Sequence, residues 1–317
     1  MSMNSPSLRK VIPPTSPGQP NGKRRLPRAN SSKSPSLHVK PLTLSASSPV
    51  QPIGVFDSGL GGLSVLRALR AELPHEQFVY VADSGHAPYG ERDDTHVIAR
   101  SHAITRHLRE QHQIKAMVVA CNTATAAAIK LLRHDHADLP IVGIEPALKP
   151  AAASSKTGVV GVMATRSTLQ SEKFLALLAT LHGQATFVLQ PCDGLVDAIE
   201  REDAIKTEAA CAGYTRAMGQ FGLNSGEMDT LVLGCTHYPF VEAELRRTIG
   251  DQVVFLEGGA PVARQTRRLL AEKTLLAAAS AGAGDVTFFT TGKADILANA
   301  VRRWLQLETP VRALQIA

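Results

Sequence analysis

Met117-Val118-Val119-Ala120-Cys121-Asn122-Thr123 and Leu231-Val232-Leu233-Gly234-Cys235-Thr236-His237 decide how this 317-residue chain folds. Each is a short apolar run that stops at a thiol, followed by small hydroxyl or amide side chains and then a helical stretch. An apolar run of this length, closed by polar residues, reads as a buried strand of a parallel sheet. In an open α/β sheet, ligands bind outside the carboxyl ends of the strands, so both thiols are expected to face a crevice. The two cysteines lie 114 residues apart, roughly one small domain.

Reading outward from these runs, short apolar segments alternate with helical patterns from Ile53 onward. Strands are expected at 53–56, 78–81, 116–120, 141–144, 159–163, 186–189, 230–233, 253–256 and 286–289, with helices including 97–112, 168–182, 203–221 and 260–280. Such alternation predicts an α/β fold of parallel sheets made from βαβ units. The break at Leu148-Lys149-Pro150 reads as a crossing between two domains.

Other strand ends carry polar residues as well. Asp57-Ser58-Gly59-Leu60-Gly61-Gly62 closes the first strand and opens a helix, where glycines let backbone N–H groups approach an anion. It is neither G-x-G-x-x-G nor a P-loop, so a nucleotide is not implied. Its leading acid suits a ligand that bears an ammonium group. Asp83 ends the second strand, and Pro88-Tyr89-Gly90 offers a phenol and free amides. His237 stands two residues beyond Cys235, where an imidazole can tune a thiol. Buried cysteines are usually small hydrophobes, and Cys192 and Cys211 are read that way. Cys121 and Cys235 differ because polar residues follow each. No C-x₂₋₄-C pair suggests zinc, and four cysteines in this length are not a disulfide scaffold. Two like thiols converging from two halves suit a reaction that treats both faces of its substrate alike, and racemisation is the simplest.

The formal charge of +6 is unevenly spread. Residues 1–50 hold eight Lys or Arg, no acid and nine of the nineteen prolines, leaving 26 basic and 28 acidic residues in the rest. This basic Pro/Ser-rich tail cannot bury enough surface to order itself and is expected to be disordered. It has no apolar core of a secretory signal, and no run of 18 apolar residues in the chain implies a membrane span. Lys23-Arg24-Arg25 offers a weak nucleic-acid contact.

"IGVFDSGLGGLSVLRAL", "YVADSGHAPYGER", "VVACNTATAAAI" and "LVLGCTHYPFVEAELRR" resemble, in order, the signature segments of the glutamate racemases, bacterial enzymes that make D-glutamate for peptidoglycan without a cofactor. The resemblance runs from about Gln51 to the end. It implies two pseudo-symmetric parallel-sheet α/β domains, 51–147 plus 258–317 and 148–257, with the active site in the cleft between them. By resemblance Cys121 and Cys235 are the two bases, Asp57 and His237 their proton-handling partners, and Asp83 and Glu200 auxiliaries. Ser58, Tyr89 and Gly90 would hold the side-chain carboxylate of glutamate, and Asp57 and His237 also count among the substrate-binding residues. Asn122, Thr123 and Thr236 would hold the α-amino and α-carboxylate groups. No metal and no cofactor are implied, and a cytoplasmic homodimer is expected. Two departures stand out: Asp193 where the family usually has a second proline, and Glu257-Gly258-Gly259 where an Asp-Ser pair is common, which bears on domain packing. The alternatives are an aspartate or hydantoin racemase, or a binding protein whose basic tail contacts nucleic acid.

Overall fold

The architecture follows from how completely the strands are buried. In the computed structural model, which describes residues 47–316, every residue of β1 (Ile53–Asp57), β2 (Phe78–Ala82) and β3 (Ala116–Val119) is buried. Strands without an exposed face need helices on both sides, and the chain supplies them. Between these strands run α1 (Leu63–Glu72) and α2 (Asp94–His112), followed by α3 (Asn122–Asp135) and β4 (Ile141–Gly143). The chain then crosses through α4 (Leu148–Ser154) into β5 (Val159–Ala164), α5 (Arg166–Gln170), α6 (Glu172–Ala179) and β6 (Thr186–Pro191). There follow α7 (Leu195–Glu200), α8 (Ala204–Met218), β7 (Thr230–Leu233), α9 (Glu242–Ile249) and β8 (Val254–Leu256). It ends with α10 (Gly259–Glu272), β9 (Val286–Thr290), α11 (Ala294–Leu305) and β10 (Val311–Ala313).

Among the described residues, ten strands form two all-parallel sheets, one in the order β10-β9-β2-β1-β3-β4 and the other β6-β5-β7-β8. In the first sheet Val55, Tyr80 and Val118 pack under α1, α10 and α11, through Leu66, Leu270 and Leu297. Phe56, Val81 and Val119 pack on the opposite face against Ile104 of α2 and Ile129 of α3. The smaller sheet is sandwiched likewise, with Leu231 and Leu233 facing Leu195 and Leu245, and Val160 and Val232 facing Leu148 and Phe174. Among the described residues, no helix is long and apolar enough to cross a membrane.

Several expected boundaries shift for local reasons. The helix expected over 168–182 is two helices, because Ser171 adopts an extended conformation and its hydroxyl caps the second by accepting from the Phe174 N–H at 3.1 Å. The helix expected over 260–280 stops at Glu272, and Thr274 beyond it has a positive φ of 55°. Leu148-Lys149-Pro150 lies inside α4 rather than in a break. Pro150 falls in the first turn, where its missing N–H costs nothing. Strand β10 and helix α11 were not anticipated. Glu257 accounts for one departure from the family pattern, since its carboxylate accepts from the Gly259 and Ala260 N–H groups that open α10. The expectations for a disordered tail and for Lys23-Arg24-Arg25 lie outside the described residues.

At the amino-terminal ends of the strands, Lys115 is fully buried, 2.5 Å from the Glu76 carboxylate, and donates to the Pro49 carbonyl. A chain beginning at Val50 lacks that acceptor. It should lose about 1–3 kcal/mol in denaturant unfolding relative to a chain beginning at Ser47. Equal unfolding midpoints would show that water replaces the carbonyl at no cost.

Candidate active site

The loops that follow β1, β2, β3, β5, β6 and β7 converge on one cleft between the sheets, as the carboxyl-end rule requires. It encloses about 520 Å³, solvent at its mouth included. The first sheet supplies Ser58, Pro88 to Glu91 and Cys121 to Thr123; the second supplies Thr165, Arg166, Cys192 to Gly194, Val196 and Cys235 to His237. Both expected thiols therefore line one space.

Their surroundings differ. Cys121 is the N-cap of α3, its sulfur accepting from the Ala124 N–H at 3.4 Å and lying 3.5 Å from the Ser58 hydroxyl. Burial, reinforced by the nearby Asp57 charge, pushes the Cys121 thiol up to about 12 despite these hydrogen bonds. The Cys235 sulfur lies 3.7 Å from His237 Nδ1, and His237 Nε2 lies 2.8 Å from the Glu200 carboxylate at the end of α7. Burial opposes a charge on His237. The contacts with Cys235 and Glu200 outweigh it and hold the imidazole well above its ordinary pKa.

The glycine-rich loop after β1 receives this pair. The Leu60 N–H donates to Glu200 Oε1 at 2.9 Å, and the Gly61 nitrogen lies 3.2 Å from His237 Nε2. A Cβ at Gly59 would stand 1.7 Å from Glu200 Oε1, and one at Gly61 2.4 Å from His237 Nδ1. The anion that the glycines were expected to approach is thus a side chain of the same protein. Ser64 donates to the Thr236 carbonyl at 2.9 Å, and the Thr236 hydroxyl donates to Asp57 Oδ2 at 3.0 Å. Asp57 Oδ1 accepts from the Gly59 N–H at 2.7 Å. Asp57 is wholly buried, and burial raises its pKa above the usual carboxylate range.

Of the residues singled out from sequence, Ser58, Tyr89, Gly90, Cys121, Asn122, Thr123, Cys235, Thr236 and His237 line the cleft, whereas Asp57, Asp83 and Glu200 stand behind its wall. The Tyr89 hydroxyl, expected to meet a ligand carboxylate, donates instead to Asp83 Oδ2 at 2.6 Å. Burial and the Asp83 charge push the Tyr89 phenol up, so it keeps that proton. Asn122 Oδ1 is buried with no partner among the described residues, and Thr123 Oγ1 reaches Thr165 Oγ1 of the other sheet at 3.2 Å. Thr165, Arg166 and Cys192 were missed as lining residues. Each follows a strand, which is the same signal that marked Cys121. Arg166 pairs with the departing Asp193 at the exposed rim. Among the described residues, no group of three or more His, Cys, Asp or Glu is placed to hold a metal ion.

The model of the family described as Asp/Glu/Hydantoin racemase matches residues 54–266. A glutamate racemase of Ectopseudomonas mendocina is 51% identical over 228 residues, covering 71% of this chain and 84% of its own. The crystal structure of glutamate racemase isoform RacE1 from Bacillus anthracis matches with a TM-score of 0.74 at 30% identity, over 84% of this chain and 97% of that one. The Escherichia coli glutamate racemase in complex with L-glutamate and the activator UDP-MurNAc-ala matches with a TM-score of 0.70 at 30% identity, over 84% of this chain and 99% of that one.

The Asp57 charge raises the Cys121 pKa, so removing it must lower that pKa and enlarge the thiolate fraction at any fixed pH below about 12. Asp57→Asn should therefore speed iodoacetamide labelling of Cys121 at pH 9, read by mass spectrometry, about tenfold for each pKa unit removed. An unchanged rate would show that the Asp57 charge does not act on the thiol.

Proposed function

This chain belongs to the Asp/Glu/hydantoin racemase family and racemises glutamate, and we propose that it does so with two opposed thiols, Cys121 and Cys235, and no cofactor. The observation that carries the proposal is the pair of sulfurs lining one cleft, each from the carboxyl end of a strand in a different sheet. An α-proton is far less acidic than any side chain, so the base must be desolvated and well placed. Both sulfurs are buried.

In one direction the Cys235 sulfur, as thiolate, takes the α-proton and becomes a thiol. The electron pair stays on the α-carbon, and the Cys121 S–H delivers its proton to the opposite face. The high pKa of Cys121 suits it to hold that proton until the carbanion forms. The roles reverse for the other enantiomer. His237, backed by Glu200, stabilises charge at Cys235, whereas Asp57, from behind the wall, opposes charge at Cys121 and favours its protonated form. Asn122, Thr123 and Thr236 are assigned to the α-amino and α-carboxylate groups, the unpartnered Asn122 Oδ1 suiting an ammonium. Ser58 and the Tyr89–Gly90 wall are assigned to the side-chain carboxylate, with Tyr89 contributing shape because its hydroxyl is engaged. Asp83 is a support for that wall rather than a proton-handling group.

The reading extends to two domains, 51–147 with 258–317 on the larger sheet and 148–257 on the smaller. It also extends to a cytoplasmic homodimer that supplies D-glutamate for peptidoglycan. What supports these parts is the likeness to glutamate racemases.

Cys121→Ser and Cys235→Ser should each lose racemisation by several orders of magnitude, followed by circular dichroism of L- and D-glutamate, because a hydroxyl is a far weaker base. Cys192→Ser and Cys211→Ser should stay within a few-fold in kcat. A folded Cys192→Ser without activity would show that the pair is misassigned. Faster turnover of aspartate than glutamate by the wild type would favour the aspartate racemase alternative.

A further inference from the structure

One wall of the cleft is held from behind by a buried anion that the proton chemistry leaves unused. The wholly buried Asp83 carboxylate accepts from the Tyr89 hydroxyl at 2.6 Å, from Arg100 Nε and Nη2 at 3.0 Å each, and from the Thr291 hydroxyl at 2.8 Å. His86 Nδ1 lies 3.1 Å from it. These hydrogen bonds outweigh burial and keep Asp83 ionised, below the usual carboxylate range. Arg100, on α2, is itself buried, and its third nitrogen, Nη1, donates to the Ile316 carbonyl at 2.9 Å. The segment that carries Ile316 is pinned next to the sheet, since the Leu314 N–H donates to the Thr290 carbonyl at 2.8 Å. A rigid guanidinium thus links the segment after β10 to the wall residue Tyr89 through one carboxylate. Two-pronged contacts of this kind fix direction as well as distance, and lysine cannot reproduce them.

We propose that Asp83, Arg100 and the Ile316 carbonyl form a positioning anchor that holds the Tyr89–Gly90 wall at a set distance from the two thiols and thereby selects the length of the dicarboxylic amino acid. This rests on the reading that places the substrate's distal carboxylate at that wall. Neither Asp83 nor Arg100 lines the cleft, so both act through Tyr89. Glutamate and aspartate differ by one methylene, and sites separate such pairs by roughly 10- to 200-fold when the pocket is well fixed. A wall released from its anchor loses both affinity and that discrimination.

The test uses the full-length chain with Arg100→Lys or Thr291→Val, and a chain cut after Leu314 that lacks the Ile316 carbonyl. Ile316→Ala keeps the carbonyl and is the control. Melting temperatures establish which variants are folded, and Thr291→Val is the mildest. For folded variants the glutamate KM should rise about tenfold, kcat should stay within about threefold, and the glutamate-to-aspartate ratio of kcat/KM should fall. Ile316→Ala should match the wild type. Unchanged KM and selectivity in folded Arg100→Lys and in the shortened chain would overturn the anchor. Loss confined to kcat would also overturn it, because that would place Asp83 in the proton chemistry. A wild type that does not turn over glutamate would defeat the functional reading itself, a result separable from either.

Discussion

The contact on which the site depends is the seating of the Glu200–His237 pair against the glycine loop, where the Leu60 N–H donates to Glu200 and the bare Gly61 leaves room for the imidazole. It joins a loop of the larger sheet to two elements of the smaller one, and with it the cleft acquires its shape. The seat requires glycine at 59 and 61, since any Cβ would occupy the space of the carboxylate or the imidazole. Once the pair is seated, Thr236 reaches Asp57, Ser64 reaches the Thr236 carbonyl, and the Cys235 sulfur is held beside an imidazole. Partly buried pairs of this kind gain from the low local dielectric and lose heavily if one partner is removed.

The two thiols look like twins in sequence and are not equivalent in the fold. Cys121 is a helix cap facing a serine, with a buried carboxylate nearby that keeps its proton on. Cys235 has a cationic partner within 3.7 Å, itself supported by a carboxylate. A reversible reaction across two faces does not need identical bases. It needs one acid and one base that can exchange roles, and unlike surroundings supply that division at the start of each turnover.

Much of this was legible in the chain. The central strands stood out because burial on both faces makes them continuous apolar runs, and Cys121 and Cys235 stood out because polarity begins at each thiol. Four features were not legible, each for its own reason. Glu200 lies 37 residues from His237 and belongs to a short helix, so only resemblance pointed to it. The glycine loop reads as a ligand cradle because its backbone donors look the same whether a ligand or a side chain will use them. The Tyr89 phenol looks free in sequence because its acceptor, Asp83, is oriented by Arg100 and Thr291 from distant elements. Strand β10 has three residues at a sheet edge and too little apolar content to register.

The isotope content of both enantiomers during turnover in D₂O tests the central claim most directly. Each thiol carries a single proton, so a proton removed on one face is not the one delivered on the other. L-glutamate incubated with the protein should yield D-glutamate bearing α-deuterium, while the remaining L-glutamate keeps its α-protium at low conversion; the reverse should hold from D-glutamate. Product that retains α-protium, or substrate that exchanges as fast as product forms, would show one base serving both faces and would contradict the account.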